Sequence, residues 1–172
     1  DWRGELQAHN INDLFAVPVP TLNLGHIHGG DNPNRICAAC ELQLDLRPLP
    51  GMQIDELRAE LHHRTRRALT DSGIDIRFEA LFDGIPAMET PADAGIVRLA
   101  ERLTGYAPGA VAFGTEAPYL SRLGMETVVL GPGNIEQAHQ PDEYLAMEQL
   151  EPTVNLLKQF IKSVCIDTAP LL

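Results

Sequence analysis

The hydrophobic pattern of residues 21–80 predicts a small unit of mixed helix and sheet. Alternating apolar and polar positions predict three strands, over residues 21–28, 37–47 and 74–78. Between the second and third strands, apolar residues recur at helical offsets from Ile54 to Ala68, which predicts an amphipathic helix. A looser helical spacing over residues 1–14 predicts another helix ahead of the first strand. This order is that of a ferredoxin-like βαββαβ unit that lacks only its first strand.

The pattern changes near residue 84 to an alternation of helices and buried strands. Thr90 is expected to cap a helix that ends at Gly105, and residues 150–164 carry one apolar stripe of a long closing helix. Two short strands are predicted as well, over residues 110–113 and 127–130. Such alternation is typical of a layered α/β sheet. We therefore expect an α+β unit followed by the tail of a larger α/β unit.

Composition and charge exclude several classes of partner. The 172 residues include 13 basic and 24 acidic side chains, a formal net charge of −11, and 5% of them are aromatic. This balance argues against nucleic acid and anionic membranes as partners. No apolar run reaches the roughly 18 residues of a membrane span. The sequence begins Asp1-Trp2-Arg3, without a Met or the pattern of a signal peptide, so we expect a fragment or a processed product.

The cysteines indicate a reducing compartment, the cytoplasm, because three is an odd number and too few for a secreted disulfide framework. Cys37 and Cys40 have the Cys-x-x-Cys spacing that elsewhere serves zinc or redox chemistry. In a regular strand, residues three apart point to opposite faces, so these thiols are not expected to converge on one metal. We interpret them as small packing side chains, one of them buried.

Two polar loops follow predicted strands, which is where α/β sheets bind ligands. In the first loop, Gly114, Thr115 and Glu116 precede a helix N-terminus, whose free N–H groups suit an anion. In the second loop, over residues 131–143, His139 lies among small and acidic residues and is a candidate metal ligand. The residues alone leave open whether His139 binds a metal or is a surface or capping histidine.

Other polar residues carry weaker signals. His26 and His28 share one face of a strand, but no third ligand is near, so we favour a solvent-facing pair. His62 and His63 are expected on the outer side of their helix, without a function. Arg47 ends a strand and has a planar donor group that suits a carboxylate, although a lone arginine there is more often a solvated strand end.

Several separate strings, in the right order, resemble the di-zinc aminoacylase and carboxypeptidase family. The strings are TLNLGHIHGG at 21–30, NRIC at 34–37, DLRPLPG at 45–51, GTEAP at 114–118, LGPG at 130–133 and AHQPDEY at 138–144. The resemblance runs over nearly the whole chain. It implies a partial ferredoxin-like lid and dimerisation domain over residues 1–80, which makes a homodimer. The C-terminal part of a zinc-peptidase-like α/β catalytic domain would follow over residues 81–172.

The resemblance also implies a reaction and a cofactor. The expected reaction is hydrolysis of an amide, removing the acetyl group from N2-acetyl-L-ornithine in arginine biosynthesis. Two zinc ions, or cobalt in their place, would activate the attacking water, and a glutamate would serve as general base. The alternatives are removal of the succinyl group from succinyl-diaminopimelate, another acyl specificity in the family, or a non-catalytic module for dimerisation or regulation.

By the same resemblance, His139 matches a zinc ligand of the family. Asn34 and Arg47 match lid residues that contact the substrate carboxylate, and Gly114 and Thr115 match the loop that lines the substrate pocket. The resemblance finds no match in this chain for the other metal ligands, the general base or the lid histidine that stabilises the oxyanion.

To these residues we add Glu116, as a hypothesis, as an acceptor for the substrate ammonium group. No catalytic residue is assigned in this chain, which alone is expected neither to bind zinc tightly nor to hydrolyse the substrate. A lid and a sheet that lack strands would expose edges and apolar faces. We therefore expect the chain to associate with itself or with the remainder of the enzyme.

Overall fold

The structure is a computed structural model that describes residues 1–167 of the chain. It divides into two compact units. The first unit contains residues 1–88 and 110–114, and the second contains residues 89–109 and those from 115 onward. The division into a lid domain and a catalytic domain after residue 80 stays a prediction, because a compact unit is not by itself a functional domain.

The first unit is built from two helices and one antiparallel hairpin, which confirms four of its five predicted elements. They are α1 (Trp2–His9), β1 (Thr21–Gly29), β2 (Cys40–Arg47) and α2 (Ile54–Ala68). The hairpin register runs from Thr21 opposite Arg47 to Gly29 opposite Cys40, with an irregularity between Leu24 and His26. Gly25 therefore has no partner on β2, as in a β-bulge.

Arg64 of α2 fastens α1 to α2. Its guanidinium group lies 2.6 Å from the Glu60 carboxylate, an ion pair between residues four positions apart on one face of the helix. The same group lies 2.7 Å from the carboxylate of Glu5 and 6.0 Å from the ring centroid of Trp2, both on α1. A single arginine thus links the two helices by charge and by a cation–π contact.

The predicted third strand is wrong, since residues 74–78 form no ladder. In a βαββαβ sheet this strand pairs with the first strand, and residues 1–167 contain no strand in that role. Phe78 instead packs against α2, with its ring centroid 3.9 Å from that of His62 and 5.1 Å from the Arg66 guanidinium carbon. The sequence predicted that His62 lies on the outer side of its helix. This placement is wrong, because the side chain packs against Phe78.

The second unit contains three α-helices among its described residues. They are α3 (Gly95–Thr104), α4 (Ala117–Arg122) and α5 (Leu150–Ile161), and α5 continues into a π-helical turn over Lys162–Ile166. Gly105 ends α3 with φ of 74°, which confirms that prediction. The closing helix is also confirmed.

The predicted cap of α3 is wrong, because the helix begins at Gly95 and not next to Thr90. A carboxylate oxygen of Glu126 accepts a hydrogen bond of 3.1 Å from the backbone N–H of Ile96, so a side chain distant in sequence caps the helix. The Thr90 hydroxyl donates instead to the backbone carbonyl of Thr127.

The two strands predicted in the later half of the chain are also absent, over residues 110–113 and 127–130. Within residues 1–167, β1 and β2 form a sheet of two strands. An apolar run becomes a strand only where a neighbouring strand accepts its backbone hydrogen bonds, so the pattern alone does not produce one. The predicted α+β class is therefore consistent with the structure, whereas the α/β catalytic part is not established by it.

Each unit has a small core. The buried apolar side chains of the described residues are Pro20, Leu49 and Leu57 in the first unit, and Ala94, Val97, Leu99, Ala100, Ala117 and Pro118 in the second. The apolar stripe of α5 remains exposed, from 40% at Leu150 to 56% at Ile161. This confirms the expectation that apolar faces lie open. None of the helices in residues 1–167 combines the length and the apolar character needed to cross a membrane.

Candidate functional site

The loop that carries His139 is held at both sides by side-chain hydrogen bonds. The backbone N–H of Gly133 donates to the side-chain oxygen of Gln149 at 2.8 Å. The Asn134 side chain accepts from the backbone N–H of Glu136 at 3.0 Å and caps a 3₁₀ turn over Ile135–Gln137. Hydrogen bonds therefore hold the backbone up to Gln137, immediately before Ala138 and His139.

His139 has the left-handed conformation, with φ of 63°, and it is the one residue other than glycine with positive φ in the described part of the chain. Its backbone N–H donates to the Glu143 carboxylate at 3.1 Å. An L-residue with a Cβ is disfavoured there by about 1–2 kcal/mol, and such residues cluster at functional sites. The imidazole itself is exposed. The loop thus holds a strained backbone so that this side chain projects from it.

The described residues fit one donor of a metal site rather than a complete one. An exposed imidazole on a fixed loop has the chemistry of a zinc ligand. Within residues 1–167, however, no group of three or more His, Cys, Asp or Glu side chains is arranged to hold an ion, whereas zinc takes about four ligands. No reaction step through a metal is therefore derived from these residues.

The loop before α4 brings three candidate residues together in sequence. A Cβ on Gly114 would lie 2.9 Å from Cδ1 of Ile85, so only glycine fits there without a shift of its neighbour. The Thr115 hydroxyl accepts a hydrogen bond of 3.1 Å from the Ala117 backbone N–H. The Glu116 side chain is exposed.

The anion site predicted at the start of α4 loses its first two donors. The Ala117 N–H is already bound by Thr115, and the next residue, Pro118, has no N–H. The expectation that these groups are free for an anion is therefore wrong at these positions. The exposed Glu116 carboxylate remains as the polar group of the loop that could meet a ligand.

Asn34 and Arg47 lie at different ends of the hairpin. Asn34 is exposed in the loop between β1 and β2, where its backbone N–H donates to the Asn32 side chain at 3.2 Å. Arg47 is the last residue of β2, and its guanidinium Nε donates to the Asp45 carboxylate at 2.9 Å. The full length of β2 separates Arg47 from the loop that contains Asn34. The Arg47 side chain remains 68% exposed, so its other donors are accessible.

The cysteines differ from the prediction. Cys37, Cys40 and Cys165 are all free and exposed, so none is a buried packing side chain. Cys37 lies outside β2, in an irregular segment, so the argument from strand geometry does not apply to it. His26 and His28 do share a face as predicted, with stacked rings whose centroids are 6.3 Å apart.

A groove that sequence reasoning missed lies between α1 and α2 in the first unit. It is lined by Trp2, Glu5, Glu60, His63, Arg64, Arg67 and Ala68. The hydrogen bond from Arg64 lowers the pKa of the Glu5 carboxyl below its usual range, and the two glutamates raise the pKa of Arg64. No candidate residue from the sequence lies in this groove. Its only sequence signal was the helical spacing of Glu60 and Arg64.

Comparison with known proteins shows which proteins this chain resembles, which the geometry of the candidate residues does not show. Residues 2–71 match the peptidase dimerisation domain of the M20 family. The chain is 48% identical over 163 residues to acetylornithine deacetylase of Edwardsiella ictaluri. It is 43% identical over 164 residues to that of Proteus mirabilis and 46% over 163 to that of Aliivibrio salmonicida. This chain is a relative of the acetylornithine deacetylases.

The aligned region is nearly the whole of this chain but less than half of each relative. The three alignments cover 95% of this chain but only 42–43% of each acetylornithine deacetylase. The chain therefore spans about two fifths of the length of these relatives, and it corresponds to their C-terminal part. The family resemblance drawn from the motifs is confirmed, while the individual roles of Asn34, Arg47, Gly114, Thr115, Glu116 and His139 stay predictions.

Proposed function

We propose that this chain is the C-terminal part of a metal-dependent hydrolase that removes the acetyl group from N2-acetyl-L-ornithine. The observation that carries the proposal is the loop of His139, where a strained backbone held by Glu143 presents an exposed imidazole within the string AHQPDEY. The identity of 43–48% to acetylornithine deacetylases supports the reaction and the substrate. The three free cysteines favour a reducing compartment, the cytoplasm.

In this proposal, His139 would hold one of two zinc ions, or cobalt in their place, through an imidazole nitrogen. The bound ions would polarise the amide carbonyl and lower the pKa of water. The part played by this chain is to position the ligand. Because Gln149 and Asn134 fix the loop and Glu143 holds the backbone of His139, the imidazole meets the ion with little further ordering.

Arg47 and Asn34 are proposed as two separate substrate contacts. The guanidinium group of Arg47 is held by Asp45 through Nε, which leaves its terminal N–H groups free to bind the substrate carboxylate side by side. Asn34 would contact the substrate from the hairpin loop. Since the length of β2 lies between them, we assign the two side chains to different contacts rather than to one clamp.

Glu116 is proposed to receive the ammonium group of the ornithine side chain, while Gly114 and Thr115 line the pocket. The support is local, because Glu116 is exposed next to a loop that Gly114 and Thr115 shape. Replacing the carboxylate in Glu116→Gln removes the charge and keeps the size, so in an enzyme completed with the N-terminal part of a relative KM should rise while kcat changes little. An unchanged KM would remove Glu116 from the site.

The match to a peptidase dimerisation domain supports a homodimer formed through residues 2–71. A sheet of two strands leaves backbone edges available for pairing with a second copy. Sedimentation of the chain over a range of concentrations should report a dimer. A monomer at all concentrations would contradict this part of the proposal.

The reaction can be tested in a chimaera in which this chain replaces the corresponding C-terminal part of the Edwardsiella ictaluri acetylornithine deacetylase. The chimaera should release acetate from N2-acetyl-L-ornithine faster than it releases succinate from N-succinyl-diaminopimelate. Preference for the succinylated substrate would favour the rival acyl specificity. A folded, dimeric chimaera without activity on either substrate would favour a non-catalytic dimerisation module.

A further inference from the structure

The loop between β1 and β2 contains a pair of free thiols that the proposed hydrolase does not use. Cys40 is the first residue of β2 and lies opposite Gly29 in the hairpin register. Cys37 lies in the irregular segment ahead of β2. Because only one of the two belongs to the strand, the alternation of strand side chains does not force their thiols to opposite faces. The pair is thus free to converge at the end of the hairpin.

Gly29 leaves the space between the two cysteines open. A Cβ at this position would lie 3.1 Å from Sγ of Cys37 and 3.1 Å from Cβ of Cys40. These two atoms are therefore separated by at most twice 3.1 Å, and residue 29 has no side chain to stand between them. A disulfide requires the two Cβ atoms to approach to about 3.5–4.5 Å. We propose that Cys37 and Cys40 form a reversible disulfide that closes a ring of four residues, 37–40, at the end of the loop where β2 begins.

The surroundings of the pair favour such chemistry. Both thiols are exposed, so a small oxidant can reach them. The Cys37 thiol donates to the backbone carbonyl of Ala39, the residue before Cys40, at 2.8 Å. The third free thiol, Cys165, lies in the π-helical turn of the second unit and offers an exposed cysteine for comparison.

The oxidant required is a small-molecule disulfide such as oxidised glutathione. The thiolate of one cysteine attacks a sulfur of that disulfide, which forms a mixed disulfide and releases one glutathione thiol. The second cysteine then attacks the protein sulfur of the mixed disulfide and releases the second thiol. In total the protein loses two protons and two electrons, which the oxidised glutathione takes up as it becomes two thiols. An excess of reduced glutathione reverses both steps.

Closure of this ring would restrict residues 37–40, the end of the loop that joins β1 to β2. The loop is otherwise held by local contacts, including the ion pair of Asp31 with Arg35 at 2.7 Å, whose side chains are both largely exposed. A covalent link between residues 37 and 40 removes conformational freedom next to Asn34. Oxidation would then also alter a substrate contact. This step rests on the proposed function, in which Asn34 contacts the substrate.

The disulfide itself is tested on this chain without any assay of activity. The reduced chain is equilibrated with glutathione buffers of increasing oxidised fraction, quenched with acid, alkylated and mapped by peptide mass. The peptide with Cys37 and Cys40 should lose two hydrogen atoms and resist alkylation, in the wild type and equally in Cys165→Ser. In Cys37→Ser and Cys40→Ser, the remaining cysteine should carry one glutathione. Two glutathiones on the wild-type pair, or full alkylation while Cys165 is oxidised, would overturn the proposal.

Hydrogen exchange provides a second readout that a loss of folding would not mimic. Amide exchange within residues 37–40 should be slower in the oxidised chain than in the reduced chain, and the same treatment of Cys37→Ser should produce no difference. Equal exchange rates in both redox states of the wild type would overturn closure of the ring. Failure of the deacetylase proposal would leave each of these results unaffected.

Discussion

The backbone N–H of His139 is hydrogen-bonded to the carboxylate of Glu143 at 3.1 Å, and His139 has a positive φ of 63°. The bond compensates for part of the strain, since a Cβ in this conformation lies too close to the following carbonyl oxygen. A protein retains such a residue where the side chain is needed in that place. This relationship supports the proposal that His139 belongs to a functional site, independently of sequence similarity.

Glycine at position 139 should stabilise the chain at the expense of function. His139→Gly removes the strained Cβ, so its free energy of unfolding should exceed that of His139→Ala by about 1 kcal/mol. Thermal or urea unfolding of the isolated chain measures the difference. The neighbouring pair Gln140→Gly and Gln140→Ala is the control, because Gln140 does not have positive φ and glycine should be the weaker residue there. Equal stability of the two His139 variants would contradict strain at this residue.

The stability that the Glu5–Arg64 pair contributes between α1 and α2 should decrease as the pH falls. Arg64 lowers the pKa of Glu5 by a hydrogen bond to its ionised form. The contribution of the pair is therefore present above the ordinary glutamate pKa of 4.5, and it is lost as pH falls through the lowered pKa of the folded state. The difference in melting temperature between wild type and Glu5→Gln should be largest near neutral pH and should vanish in acid.

The control for this measurement is Glu79→Gln, which removes an exposed carboxylate from the same unit. Its melting temperature should follow that of the wild type across the pH range. If Glu5→Gln and Glu79→Gln behave alike, the Glu5–Arg64 pair does not stabilise the unit. Because both groups are exposed, raising the salt concentration should also reduce the effect of Glu5→Gln.

The start of α3 should depend on Glu126 rather than on a nearby capping residue. Glu126→Ala removes the acceptor of the Ile96 N–H and should lower the free energy of unfolding by about 1 kcal/mol, as losses of helix caps do. Glu126→Gln keeps an oxygen acceptor and should retain most of that stability. Circular dichroism during urea unfolding measures both variants. A loss in Glu126→Gln as large as that in Glu126→Ala would show that charge, and not the hydrogen bond, matters.

Gly114 should tolerate a methyl group only if Ile85 is shortened. Gly114→Ala places a Cβ 2.9 Å from Cδ1 of Ile85 and should destabilise the chain by about 1 kcal/mol, at the low end of overpacking, because Ile85 is half exposed. Ile85→Val deletes that Cδ1, so the double variant should be about as stable as Ile85→Val alone. Gly109→Ala meets no atom within 4 Å and serves as the control. Additive losses in the double variant would exclude the contact.

The helices and the hairpin were predictable because their signals are local. Ile54, Leu57 and Leu61 mark the face of α2, and Gly105 provides the left-handed residue that ends α3. The strands over residues 74–78 and 127–130 were predicted from patterns of the same kind, but they do not form. Side-chain alternation reports which face a segment can bury, whereas a ladder also needs a neighbouring backbone. The sequence pattern does not say whether that backbone is present.

The candidate site was predictable only in part, for a related reason. The motif around His139 could be found from the sequence, but its left-handed backbone could not, because only a few per cent of non-glycine residues have positive φ, even though histidine is enriched among them. The Glu126 cap and the Glu5–Arg64 pair join residues 30 and 59 positions apart in the sequence. The position of Cys37 outside β2 was missed because the alternation of residues 41–47 was extended too far toward the N-terminus.

The zinc content of the chimaera with the Edwardsiella ictaluri enzyme tests the central claim most directly. Atomic emission should find two zinc ions per chimaeric chain, and fewer than two in a His139→Ala variant that remains folded and dimeric, with deacetylation of N2-acetyl-L-ornithine reduced at least a hundredfold. His62→Ala, which removes an imidazole outside the proposed site, should keep both ions. Two tightly bound ions and undiminished deacetylation in the His139→Ala variant would contradict the role assigned to this loop.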